Sequence, residues 1–103
     1  MSMRTFLLAC LLPQLAGCAF VTLTPSAQRV QVLAVAPSGC ESRGEVVVSM
    51  THRVGFYERD ALRVRDELEI LARNQATSLG ANRINPMQEP RNGHQRWAMW
   101  HCR

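Results

Sequence analysis

Apolar residues recur along this chain with two different periods, and the change of period divides it into elements. Arg29 to Val35 is rich in Val and Leu and predicts a strand. Ala36-Pro37-Ser38-Gly39 supplies turn residues. Glu45 to Met50 predicts a second strand, with Gly44 just before its start. Thr51 to Arg59 reads as a linker without a defined shape. From about Asp60 to Leu79 the period lengthens. Ala61, Val64, Leu68, Leu71, Ala72, Ala76 and Leu79 then fall on one stripe of a helix. Asp60 can cap its first turn, and Gly80 accepts the left-handed conformation that ends it. Glu69–Arg73 has i,i+4 spacing with the acid first; Arg63–Glu67 and Arg65–Glu69 have the same spacing in the weaker order. Asn82 to Ile84 begins a third strand that Pro86 shortens. Glu89 to His94 is a turn centred on Asn92-Gly93, and Gln95 to Cys102 is the last strand. The order is ββαββ. It predicts a small α+β domain with one helix packed on a mostly antiparallel sheet.

The first residues follow neither period. Met1 to Leu12 is apolar apart from the single charge of Arg4 and a few small residues, the layout of a secretory signal. The run is too short for a permanent membrane span. Leu15-Ala16-Gly17-Cys18 follows at once and resembles the bacterial lipobox. That resemblance implies cleavage after residue 17 and lipidation of the Cys18 thiol. Residues 1–17 then form the signal, 18–28 a lipidated tether, and 29–103 the folded domain. An Asp directly after the lipid-bearing cysteine retains many such lipoproteins in the inner membrane. Ala19 stands there instead, which implies the outer membrane, periplasmic face, as the destination.

In that compartment the remaining cysteines take on meaning. Cys10 leaves with the signal, Cys18 carries the lipid, and Cys40 and Cys102 are left as an even pair in an oxidising environment. They are expected to form one disulfide, closing a loop of about 60 residues. The other reading is a thiol pair for metal or redox work, but no Cys-x-x-Cys is present.

The last strand alternates Ala98, Trp100 and Cys102 with Trp97, Met99 and His101. If the disulfide turns its face inward, Trp100 belongs to the core and Trp97 and Met99 lie opposite. Leu33 and Val35 likewise alternate with Val32 and Ala34, and Val47 with Val46 and Val48, so both sheet faces are apolar. One helix covers only one of them. The second face, with Trp97, Met99, Leu33 and Val47, is therefore a candidate partner face for an envelope protein. The alternative is that Phe20 to Leu23 folds back over it.

Charge narrows the partners. All 12 basic residues are Arg, set against 8 acids for a formal net charge of +4. The excess is mild and the aromatics do not interleave with a basic stripe, so no nucleic-acid partner is expected. His52, His94 and His101 lack the paired spacing of zinc ligands, so no metal or other cofactor is expected. No serine sits in a nucleophile elbow, and Glu58 and Asp60 are two apart and do not face each other. The chain is expected to be non-enzymatic.

One further motif spans the end of the helix: Ala72-Arg73-Asn74-x-Ala76-x-x-Leu79-Gly80-Ala81-Asn82. With the lipobox, Cys40-x-x-x-Gly44 and the terminal Trp100-His101-Cys102, it resembles a family of small bacterial lipoproteins of unknown function. That family is distantly similar to the outer-membrane Rcs stress-sensor lipoprotein. The resemblance covers roughly Val30 to Cys102 and supports the pairing of Cys40 with Cys102. It implies no enzyme activity. The Rcs sensor has two disulfides and a long tether, and this chain can have only one disulfide and lacks the long tether. The residues of the motif also have fold-making roles. Gly80 ends the helix, Ala81 is small where the chain turns against the sheet, and Asn82 can hold that turn through neighbouring backbone. The expected function is protein–protein interaction in the cell envelope, as a stress sensor or accessory subunit. A small-ligand or metal-binding lipoprotein is the alternative.

Overall fold

The computed structural model describes residues 21–103. Cys18, Phe20 and the rest of residues 1–20 lie outside the described residues. The expected lipid anchor and cleavage site fall there.

A short 3-10 turn, Ala27–Arg29, leads into β1 (Gln31–Val32). Strand β2 (Glu41–Ser49), a small hairpin of β3 (Arg53–Val54) and β4 (Tyr57–Glu58), helix α1 (Ala61–Ser78), β5 (Arg83–Pro86) and β6 (His94–His101) follow. The main sheet has the order β1-β5-β6-β2. Its β5–β6 and β2–β6 pairs are antiparallel, and the edge pair β1–β5 is parallel. The helix packs on one face. The α+β arrangement expected from the period change is therefore the fold.

The helix forms where its stripe lies. Val64, Leu68, Ala72 and Ala76 are its buried residues, one turn apart. They meet Val48 of β2, Ile84 of β5 and Trp97 and Met99 of β6, with Val30 and Ala81 closing the cluster. Alanines at 72 and 76 let the helix approach the sheet closely, while Leu68, Ile84 and Met99 fill the centre. Burial of each of these three stabilises the fold by roughly 1.5–3 kcal/mol. Asp60 caps the helix, its carboxylate accepting from Leu62 N at 3.0 Å. Gly80, at φ 72°, ends it, and Ala81 N then donates back to the Ala76 carbonyl at 2.9 Å.

Several expectations are corrected. Strand β2 starts at Glu41, not Glu45. Its pairing with β6 shifts by one residue between Ser42 and Glu45, so Gly44 (φ 90°) sits inside a bulge of the strand. The first strand is only two residues, because Ala27–Arg29 takes a 3-10 turn first. The supposed linker 51–59 contains the β3–β4 hairpin. Arg59 latches that hairpin to the helix, donating to the Thr51 carbonyl at 2.8 Å and bidentately to Glu67 at 2.7 and 3.0 Å. The Glu67 carboxylate, by hydrogen bonding first and by its charge, holds the Arg59 guanidinium above its ordinary pKa; partial burial opposes this. Of the helical i,i+4 pairs, Glu69–Arg73 forms at 3.8 Å. Glu67 instead goes to Arg59, and Arg65 goes to Glu89 across the domain.

The segment before β1 is docked on the helix. Asn74 donates to the Thr22 carbonyl at 2.9 Å and accepts from Thr24 N at 3.1 Å. Ala27 is fully buried. Asn82 does more than steady its own turn. It accepts from Cys102 N at 2.8 Å and donates to the Cys102 carbonyl at 2.6 Å, fastening the C-terminus to the start of β5. In the last hairpin Asn92 (φ 50°) and Gly93 (φ 73°) form the expected turn. A Cβ on Gly93 would lie 2.1 Å from the Met50 carbonyl oxygen, so only glycine fits.

Candidate functional site

Strand alternation gives each sheet residue a face, and cross-strand partners share it. Val46 opposes Trp97, Ile84 opposes Met99, and Pro86 opposes Trp97; this is the helix side. Trp97 is 3% exposed and Met99 0%. They are core residues, which overturns the expectation that they form an open partner face. The four residues assigned to that face do not lie together. Val47 is on the opposite side of the sheet, 61% exposed, and Leu33 is half-buried at the sheet edge.

The premise that failed concerns the disulfide. Cys40 and Cys102 are bonded, with Cα atoms 4.7 Å apart. They form the next cross-strand pair beyond Glu41–His101, at the ends of β2 and β6. A disulfide closing two strand ends does not need the core, so it does not force its face inward. The helix instead buries the side that offers Val46, Val48, Ile84, Trp97 and Met99 together. The alternative cover for the second face is also excluded for the described residues. Val21 to Thr24 lies against the helix through Asn74, not across the sheet.

Among the described residues no element covers the outer face. Trp100 is half-buried there and donates Nε1–H to Asn85 Oδ1 at 2.7 Å. Asn85 is itself 6% exposed and sits directly opposite the small Ala98. Arg83 lies opposite Trp100, and Arg96 opposite Val47. Neither guanidinium has an ion-pair partner among the described residues, as is also true of Arg29, Arg63, Arg91 and Arg103, and Arg83 Nη1 donates to the Asn82 carbonyl at 2.9 Å. Glu45, opposite Ala98, is the acid on this surface. Toward its far end Ser49 and His94 face each other, with Ser49 Oγ 2.6 Å from His94 Nδ1.

Among the described residues that hydroxyl–imidazole contact has the form of a nucleophile and base. It follows from register, since Ser49 and His94 are a directly opposed pair. Both side chains are exposed, and no carboxylate is hydrogen-bonded to His94 among the described residues. The third member that would orient the ring is therefore missing from this arrangement. Among the described residues no group of three His, Cys, Asp or Glu side chains comes together as a metal site.

The alternation of Ala98 and Trp100 marks this face, and the pairing with Val47 places Arg96 on it as well. Its two cross-strand additions, Asn85 and Arg83, depend on the β5–β6 register. What the surface can do is bind: it presents an aromatic residue held by a buried amide, with Arg83 opposite it and Arg96 further along the same strand.

Fold and site together define a small, disulfide-stapled α+β domain whose described residues cover one face of the sheet with a helix and leave the other open. The model of a family described as a domain of unknown function, DUF4156, matches residues 21–102, and the chain belongs to that family. No curated protein and no solved structure matches it. No helix among the described residues is long and apolar enough to cross a membrane.

Proposed function

We propose that this protein is a non-enzymatic outer-membrane lipoprotein that works by binding a partner protein on the open face of its sheet. The anchor is the Cys18 lipid implied by the lipobox resemblance. The role is stress sensing or an accessory function in the envelope, in keeping with the distant similarity to the Rcs sensor. The observation that carries the reading is the composition of the outer face. Trp100 lies opposite Arg83, with Arg96 four residues away on the same strand and face, and neither guanidinium is ion-paired among the described residues. Trp and Arg are the residues most enriched where binding energy concentrates. Two guanidinium groups without a carboxylate partner among the described residues select a partner whose contact surface carries carboxylates around an apolar centre.

The test is in-cell photo-crosslinking from position 47, on the outer face, and from position 66, on the solvent side of the helix. A discrete adduct from 47 that disappears in the Arg83→Glu/Arg96→Glu variant, with none from 66, supports the reading. No adduct from 47, or one indifferent to charge reversal, refutes it. The anchor has its own test. Cys18→Ala is expected to abolish lipid attachment and leave the precursor uncleaved or mislocalised; a normally membrane-bound variant would overturn it.

A further inference from the structure

Strand β2 is an outermost strand of the main sheet, and its free edge carries backbone groups with no backbone partner among the described residues. Antiparallel neighbours alternate between opposed pairs that exchange hydrogen bonds and pairs that do not. Met50 N donates to the opposed Gly93 carbonyl at 2.7 Å, continuing the register that sets Val48 against Gln95 and Val46 against Trp97. Val46 and Val48 therefore direct their N–H and C=O groups to β6. Glu45, Val47 and Ser49 direct theirs away from the sheet. The far side of β6 agrees. Met87 N donates to the Arg96 carbonyl at 2.9 Å, so the residue opposite Val47 bonds to the β5 side. Glu45, Val47 and Ser49 are all exposed. Val46, Val47 and Val48 are β-branched and suit a strand, and no Pro or Lys guards the stretch 45–49 against pairing. The opposite edge of the sheet, β1, is only two residues long and offers little to a second strand.

We propose that two copies of this chain join through β2, antiparallel, about a two-fold axis at Val47. In that register Val47 faces Val47, and Glu45 of each copy faces Ser49 of the other. Every facing pair is then made of residues whose backbone groups point outward, and each pair exchanges its N–H···O bonds. The side chains agree. All three lie on the outer face of the sheet, where the two valines meet at the axis and each Glu45 carboxylate meets a Ser49 hydroxyl. That hydroxyl already lies 2.6 Å from His94 Nδ1, so the carboxylate extends an existing polar contact. Other registers are worse. A slip of one residue sets outer-face side chains against helix-side ones. Centring the axis on Glu45 opposes two carboxylates. The bulge at Gly44 ends the pairing strip, because the strand changes register with β6 there. The helices do not obstruct the join. Helix α1 packs across β5, β6 and β2, centred on β6. The two copies of β6 would be three strand spacings apart, roughly 14 Å, wider than the 8–10 Å of packed helices. A second copy is the occupant because the strip is its own complement, as a two-fold interface requires. The pairing needs neither the lipid anchor nor a partner protein. A cross-linked adduct of twice the chain's mass from position 47 would report this join, not the partner face.

The direction of the Val47 N–H supplies the test. Because that N–H points away from β6, Val47→Pro removes a donor from the join and none from the β2–β6 ladder. The full-length chain is followed by sedimentation equilibrium in density-matched detergent over a range of concentrations. The expected result is a reversible monomer–dimer equilibrium. Val47→Pro is expected to weaken it about tenfold or more while the native NMR spectrum is kept. If that variant loses its native spectrum, Val47→Lys replaces it. It leaves the backbone alone and opposes two like charges at the axis, with the same loss expected. The register is read from isotope-filtered NOEs in a mixture of labelled and unlabelled chains. Val46 Hα of one copy should contact Val48 Hα of the other, since these form the close, non-hydrogen-bonded pair of the join. A chain that stays monomeric at every concentration overturns the proposal. So does a dimer that the folded variant leaves undiminished, or one whose intermolecular NOEs arise elsewhere. Association that continues past the dimer overturns the closed two-fold join.

Discussion

Removing the disulfide perturbs this domain chiefly through its unfolded state. Cys40 and Cys102 are 62 positions apart in sequence, so the bond closes most of the domain into one loop. In the chain-entropy model a loop of that length contributes about 4 kcal/mol at 25 °C. Little native strain should reduce that figure. The two residues face each other as the continuation of the β2–β6 register, with Cα atoms 4.7 Å apart. Nor should the folded state lose its C-terminus, because Asn82 still holds both backbone groups of Cys102. The Cys40→Ala/Cys102→Ala variant is therefore expected to keep the native fold, with a native-like NMR spectrum, and to be less stable by about 4 kcal/mol. For a domain this small, with a urea m-value of about 1 kcal/mol/M, the midpoint should fall by about 3–4 M. The slope should rise as the unfolded chain expands. A fall of less than about 1 M with an unchanged slope would refute the reasoning. It would mean that the two ends stay close in the unfolded chain without a covalent link.

The two tryptophans should respond oppositely to loss of their N–H. Trp100→Phe leaves the buried Asn85 Oδ1 without its partner and is expected to cost about 1–3 kcal/mol in urea denaturation. Trp97→Phe deletes an N–H that bonds nothing and should cost less, since relief of the orphan donor offsets the small cavity; the reverse order would contradict the hydrogen-bond assignment. Gly93→Ala should destabilise by more than about 2 kcal/mol, because its Cβ collides with the Met50 carbonyl at positive φ. Gly55→Ala, at φ 59° but in open space, should cost only about 1 kcal/mol. Asn82→Ala should cost about 2 kcal/mol, measured by the same denaturation, through loss of both bonds to Cys102.

The sequence by itself determined the local elements. Helix α1 was legible because its buried residues repeat every turn and its ends carry a capping Asp60 and a terminating Gly80. The final hairpin was legible because Asn92-Gly93 accepts positive φ. The Cys40–Cys102 disulfide was legible because the expected signal, lipobox and oxidising compartment leave these two cysteines as a pair. These signals are local or arithmetical, so one chain carries them. Tertiary structure alone decided which face of the sheet the helix covers. Trp97 and Met99 alternate with Ala98 and Trp100, and the alternation is the same whichever set turns inward. The choice came from register: β2 and β5 bring Val46, Val48 and Ile84 to the side of Trp97 and Met99, where more apolar surface is removed from water. The bulge at Gly44 decided which β2 residues share that side. The outer face with Trp100, Arg83 and Arg96 follows from pairings between residues distant in sequence. No local pattern encodes such pairings, because they exist only once the strands have met.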